Sequence, residues 1–366
     1  MARTTKSNAR TAAQNTPQGR IAGTMLGLAE RFGTEERCEA YLISLKYPDG
    51  FVCPKCGCRT EHGIEGRREH QCTRCGWQFS ATSGTTMAHT KVPLVKWFQL
   101  GWQLTHGKRG ISAMEGAEIA GVSDRCAVHM LQRMRGAMAW SQMLCRVGGP
   151  VQLDDAYVSA GGRMGGKAGR GTSEVPFVVA VSPTRMAVRA TSDVSGGTYR
   201  EFASWHVSRG ASVSADDWSG IGAGLAGWDG LVRRAFDEGD AEASLPAAHH
   251  AISNLKAVVL GTHHGVTASH LQEYCDQFSW TYNHRGGDAF ADLLADMVRW
   301  PHTPKRLLPA VMAVQPPGGS IRNAVSGTNW CLRGKVVSKL EEARKSLLNT
   351  IAAMAQGLLP ATVTNA

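Results

Sequence analysis

Two Cys-x-x-Cys pairs, Cys53-Pro54-Lys55-Cys56 and Cys72-Thr73-Arg74-Cys75, stand fifteen residues apart, and each is followed directly by a glycine, Gly57 or Gly76. Each pair can wrap one side of a tetrahedral ion while the glycine relieves the turn. The spacing therefore predicts a structural zinc at Cys53, Cys56, Cys72 and Cys75 rather than a redox dithiol, which needs one such pair and not two matched ones. Cys58 and His70 break the symmetry of the pairs and are read as bystanders. The scattered Cys38, Cys126, Cys145, Cys275 and Cys331 are read as small buried hydrophobes. Cysteines used in this way belong to a reducing compartment, where thiols stay free for metal.

A chain of 366 residues has room for two or three domains, and 43% hydrophobic residues describe a soluble globular protein. Forty Lys and Arg against thirty Asp and Glu leave a formal charge of +10, which favours a polyanionic partner. There is no run of eighteen apolar residues and no convincing signal peptide, so a membrane span is excluded and an intracellular protein is expected.

Residues 1–29 carry Arg3, Lys6, Arg10 and Arg20 without an acid, and are expected to form a basic disordered tail. Residues 30–85 are expected to hold a helix opened by Thr34-Glu35-Glu36, with Cys38, Leu42 and Leu45 on one face, followed by the zinc ribbon. Arg59, Arg67, Arg68 and His70 lie between its knuckles and suit phosphate contact. Residues 86–146 are expected to be helical, with Leu94, Trp97, Phe98 and Trp102 as an apolar stripe. A helix ending at Ala120, a turn at Gly121 and Ser123 as the next N-cap match a helix-turn-helix. In its second helix Ala127, Leu131 and Met134 face inward. Arg125, His129, Gln132, Arg133 and Arg135 remain outside, as a major-groove helix requires, although a plain bundle helix has the same pattern.

The chemistry is expected in residues 147–300. After Gly148-Gly149-Pro150, alternation from Val151 to Val158 marks a strand carrying Asp154 and Asp155. A carboxylate on a central strand must be paired or metal-bound to offset its desolvation, so Asp154 becomes a ligand candidate once others converge on it. The glycine-rich stretch Gly161 to Gly171, with Arg163, Lys167 and Arg170, is a loop compatible with phosphate contact. Strands at 177–181 and 186–191 and a helix at 199–207 follow, and a strand from Val213 ends in Asp216-Asp217-Trp218. Carboxylates from different strands can meet at one sheet edge, as two-metal phosphoryl transfer needs. On the next helix His249 and Lys256 are seven apart and share a face, with His250 and Asn254 as neighbouring alternatives. Another helix runs from Leu271 towards Tyr282-Asn283-His284-Arg285. Residues 301–366 form an extension with a linker at Pro316-Pro317-Gly318-Gly319 and an amphipathic helix from Val337 to Met354.

In this combination the chain resembles bacterial insertion-sequence transposases of the DDE class, which pair an N-terminal zinc ribbon with an integrase-like, RNase H-type catalytic domain. The resemblance covers residues 30 to 300 and rests on Pro48 to Gly57, on Leu153-Asp154-Asp155-Ala156-Tyr157-Val158, on Ala215-Asp216-Asp217-Trp218 and on Ser253-Asn254-Leu255-Lys256 through Gly265. It implies an α/β fold with a mixed-sheet RNase H-like domain behind the ribbon and the helix-turn-helix. It also implies a catalytic set of Asp154, Asp216, His249 and Lys256, with magnesium or manganese held by the first three. The chain departs from the family pattern at Asp217, where a glycine is usual, and at His249, where Glu is usual. Imidazole is softer than carboxylate and suits manganese better than magnesium. The implied activity is metal-dependent cleavage and transfer of DNA strands at terminal inverted repeats, without a covalent protein intermediate. The partners are double-stranded DNA at transposon ends and target, bound by a homo-oligomer in the bacterial cytoplasm at the nucleoid, with no membrane. The alternative is a regulator derived from such an enzyme that binds DNA but no longer cuts it. A zinc-ribbon component of the transcription machinery is poorer, because it leaves the two acid pairs without a role.

Overall fold

In the computed structural model the ribbon segment folds as a small antiparallel sheet of β1 (Glu61–Gly63), β2 (His70–Cys72) and β3 (Gln78–Phe79). The structure describes residues 20–300 except 108, 143–145, 160–173, 235–244, 264, 265 and 267. The glycine-rich loop expected at Gly161 to Gly171, Cys145, Cys331 and the whole extension from 301 lie outside the described residues. All that is described belongs to one unit ending at Thr303.

Two helices precede the ribbon, α1 (Met25–Phe32) and α2 (Glu35–Lys46), N-capped by the side chains of Thr24 and Thr34. The basic tail expected over residues 1–29 therefore stops short of 29. The Thr24 cap and the i, i+4 pair of Leu28 and Phe32, both buried, specify a helix that the glycines around them disguise. The carboxylate of Glu35 then joins three parts of the chain. It accepts the Leu94 and Val95 amides, each at 2.9 Å, at the start of α3 (Leu94–His106), and it pairs with Arg68 of the ribbon at 2.6 Å. Arg68, read from sequence as suited to phosphate, is thus engaged with α2.

Next come α4 (Ala113–Ala120) and α5 (Asp124–Gln142), capped by Ser112 and Ser123 and joined through Gly121, whose φ of 56° is the left-handed value that a sharp helix exit needs. Ala127, Leu131 and Met134 are buried, as their spacing predicts.

The catalytic-domain sheet consists of β4 (Pro150–Ser159), β5 (Glu174–Val181), β6 (Met186–Ala190), β7 (Ser212–Asp216) and β8 (Leu231–Arg234), in the order β6-β5-β4-β7-β8. β5 runs antiparallel to both neighbours, whereas β4, β7 and β8 are mutually parallel. This is the mixed five-stranded sheet expected for the RNase H-like fold. Period-two alternation splits it into two packed faces. Val151, Leu153, Val213 and Ala215 pack under α6 (Gly196–His206) and α7 (Ser219–Gly224). Ala156, Val158, Phe177 and Val179 pack under α8 (Pro246–Ala257) and α9 (Ala268–Asn283).

α9 also lies along α5, and α10 (Ala289–Arg299) returns to α2, α3 and α5, burying Phe290, Leu293, Leu294 and Met297. This packing corrects one sequence expectation. Arg135 does not face solvent but is 4% exposed, donating from Nε to Gln277 Oε1 at 2.7 Å beside Glu273 and stacking over the Tyr274 ring. The second half of α5 is a buried helix because α9 and α10 cover the side that an isolated helix-turn-helix would leave open.

Candidate functional site

The strand register brings the acids together. Leu153 pairs with Ala215 across the parallel β4–β7 ladder, so Asp154 and Asp216 follow as neighbours on adjacent strands, and both alternate to the face beneath α8. The helix is seated by the same strand. Leu245 offers α8 no side-chain cap; instead Gln152 Oε1, two residues before Asp154, accepts the Ala247 amide at 2.8 Å and the Ala248 amide at 3.1 Å. Pro246 at the first turn leaves those amides as the donors needing a partner. So anchored, α8 sets His249 Nε2 3.3 Å from Asp154 Oδ2.

Asp154 is an expensive residue in this place. Burial pushes its carboxyl up to about 7, and the charges of Asp155 and Asp216 add to the push against the Asp155 amide and Lys256. A carboxylate that burial and like charge both oppose, beside a second carboxylate and an imidazole, is a donor set suited to a divalent cation. Lys256, two turns along α8, is near enough to favour the Asp154 charge. His250 and Asn254 are both exposed. Asp155, on the opposite face, accepts the hydroxyl of the buried Tyr199 on α6. Asp217 is drawn off to β8 by Arg233 at 3.0 Å.

The ribbon cysteines form a second centre. Gly57 and Gly76 donate their amides back to Cys53 and Cys72 at 2.9 and 3.1 Å, closing two knuckles. The Sγ atoms of Cys53 and Cys75 lie 3.6 Å apart, as do those of Cys56 and Cys72, and all four come within 4.8 Å of one another. A zinc tetrahedron with Zn–S of about 2.3 Å has edges of roughly 3.8 Å, so the four thiols fit zinc with almost no rearrangement. Among the described residues no other group of His, Cys, Asp or Glu is gathered so tightly. Cys58 and His70 stand outside it, bonded to Thr60 and Glu61.

Residues 146–283 match the model described as the ISXO2-like transposase domain, and residues 33–78 match the one described as the transposase zinc-ribbon domain, together about half of the chain. The chain belongs to the ISXO2-like transposase family. An uncharacterized protein in transposable element ISH50 of Halobacterium salinarum is 29% identical over 133 residues, 36% of this chain and 44% of that protein, so the match spans less than half of the relative. The transposase-domain match runs from just before β4 to the end of α9 and includes Asp154, Asp216 and the α8 residues. The α4–α5 pair lies between the two matched segments.

Of the four residues read from sequence as DNA contacts on α5, Arg125 is exposed and His129 and Gln132 are half-buried. Arg133 turns inward, with Nη1 donating to the carbonyls of Thr86 at 3.1 Å and Ala88 at 3.0 Å. Arg133→Ala should therefore lower thermal stability and weaken DNA binding only as the fold loosens. Arg125→Ala should leave the melting temperature unchanged and cost about 1–3 kcal/mol of sequence-specific binding. Melting curves and binding isotherms on both variants check this, and the opposite pattern would reverse the two roles. Sequence reasoning missed Gln152. A polar residue on a strand face otherwise occupied by core and ligand positions was its only signal.

Proposed function

We propose that this chain is a transposase that binds the terminal inverted repeats of its insertion sequence and catalyses metal-dependent cleavage and transfer of DNA strands. The observation that carries the reading is the placing of Asp154 and Asp216 on adjacent parallel strands with His249 of α8 3.3 Å from Asp154, whose carboxyl is held in a state that a cation would relieve. Asp154 and Asp216 supply hard oxygen donors and His249 a nitrogen, and Lys256 meets a backbone phosphate beside the bond to be cut. Magnesium or manganese held by Asp154, Asp216 and His249 would supply a nucleophilic water and neutralise charge developing on the phosphodiester. The parts before residue 146 hold duplex DNA: the zinc ribbon, and the α4–α5 pair as a helix-turn-helix presenting Arg125, with His129 and Gln132 at the edge of its face and Arg133 bracing it. Residues 147–300 do the cutting. The active form is a homo-oligomer on DNA in the cytoplasm, and no described helix is long and apolar enough to cross a membrane.

Incubating the purified chain with labelled end-containing duplex in magnesium, manganese or chelator tests this directly. A nick exposing a 3′-hydroxyl, dependent on the added metal, is expected. End binding without a nick in either metal would favour the DNA-binding regulator.

Two further results follow from the geometry. Cys53→Ser should lower zinc content and end binding together, because folding of so small a module is coupled to its metal. A Cys53/Cys72 double serine variant that kept a full zinc equivalent would contradict it. Gln152→Ala should release the start of α8, so that cleavage falls and the manganese concentration for half-maximal cleavage rises. Gln152→Glu, which keeps an acceptor for the two amides, should recover part of the loss. Equal cleavage and metal demand in parent and Gln152→Ala would show that α8 is seated without it.

A further inference from the structure

Behind the sheet, on the face away from α8, a cavity of about 460 Å³ opens between the end of α6, the turn after it and the segment joining α7 to β8. Val207 and Leu225 line it, with the indole of Trp228, whose Nε1 donates to Ala211 O at 2.9 Å and so fixes the ring. Three guanidinium groups, those of Arg146, Arg200 and Arg209, surround it against one carboxylate, Asp229. Arg146 donates to the carbonyls of Ser204 at 2.8 Å and Val207 at 3.3 Å, and Arg200 donates to Ala223 O at 3.1 Å. These bonds orient the heads without neutralising them. Among the described residues none of the three arginines is in an ion pair, so the cavity holds an uncompensated positive charge over an apolar, aromatic lining.

The two halves of this lining ask for different things. Guanidinium groups with spare N–H donors suit phosphate oxygens, while a phosphate alone has no use for an indole and two aliphatic side chains. A nucleotide satisfies both, and only where its base is unpaired, since a duplex shows its phosphates outward and keeps its base faces stacked. We propose that this cavity receives a nucleotide of an unpaired DNA strand, its phosphate on the arginine rim and its base against Trp228. The cavity lies near the start of β4, whose run from Pro150 to Asp154 spans about 13 Å of strand, so it holds DNA at a distance from the bond being cut. The inference shares with the proposed function the premise that the partner is DNA, and it does not depend on the metal site.

The test uses the full chain and a fluorescent single strand of about twelve nucleotides containing 5-iododeoxyuridine. Ultraviolet cross-linking should place the label in peptides spanning residues 203–228. The Arg200→Ala/Arg209→Ala double variant should bind the strand about tenfold more weakly, with the slope of log K against log salt flatter by about 0.7, the value for one phosphate no longer neutralised. Its binding to the duplex end should stay as in the parent, and Trp228→Leu should weaken strand binding without changing the salt slope. Unchanged strand affinity in the double arginine variant, with cross-links confined to residues before 142, would overturn the proposal. So would equal competition by a free deoxynucleoside monophosphate, or a change of oligomeric state with strand affinity intact. If the parent cuts no end DNA in any metal but the double variant still loses strand binding, the cavity stands and the enzymatic reading falls.

Discussion

Asp154→Asn is expected to abolish strand cleavage and at the same time to make the metal-free protein more stable than its parent above pH 7. The two effects have one cause. In the fold the Asp154 carboxyl is pushed up to about 7 by burial and by its acidic neighbours, with its side chain 14% exposed. In the unfolded chain it titrates near 3.9. A folded value above the unfolded one means that ionising Asp154 costs the native state more than the unfolded state. That cost is absent below about pH 4, grows through the interval between the two values, and is complete above pH 7. Asn keeps the shape and can still accept the Asp155 amide, which sits 2.8 Å from Asp154 Oδ1, while removing the charge. The gain should be on the order of 1–3 kcal/mol at pH 8, read as a rise of a few degrees in melting temperature, and it should vanish at pH 4. Manganese should stabilise the parent at pH 8 and the Asn variant much less. A variant that melts with the parent at pH 8 would mean that Asp154 carries no such burden.

His249→Glu should keep cleavage and shift its preference from manganese towards magnesium, because a hard oxygen replaces a softer nitrogen beside Asp154. His249→Ala should lose most activity in either metal, since it removes the group 3.3 Å from Asp154 Oδ2. Asn254→Ala should do far less. Its side chain lies five positions on, about 140° around the helix from His249, and is exposed. Cleavage rates for the three variants, each titrated with both metals, check this. A dead Asn254→Ala beside an active His249→Ala would place the third ligand on the other side of α8.

The residues that announced themselves in the sequence did so through spacing that chemistry demands. Four thiols at matched intervals correspond to a cluster in the fold, and the acid-bearing strand and the His249 helix meet where His249 Nε2 comes within 3.3 Å of Asp154 Oδ2. What spacing could not convey was what covers each element. α5 has the pattern of an open recognition helix, but α9 and α10, arriving from more than a hundred residues away, pack along it and bury Arg135, while the Thr86 and Ala88 carbonyls draw Arg133 inward. β8 has only four residues, and its place is set by pairing with β7 rather than by its own alternation. The α10 signal was present in Asp288 before Phe290, Leu293, Leu294 and Met297, a cap followed by an i, i+3, i+4, i+7 stripe that went unread. Gln152 was hidden for a different reason. Its role as a cap for α8 exists only after two segments about ninety-five residues apart have met.

The most direct measurement is cleavage and binding of one labelled end duplex, in manganese, by the parent and by Asp154→Ala, Asp216→Ala and His249→Ala. The account expects the parent to nick the duplex, both aspartate variants to produce no nick, and His249→Ala to lose most of it, while all four bind the end alike because the parts that hold it lie before residue 146. A nick of parental yield from either aspartate variant, with end binding equal throughout, would contradict the assignment of the cutting site to this acid pair.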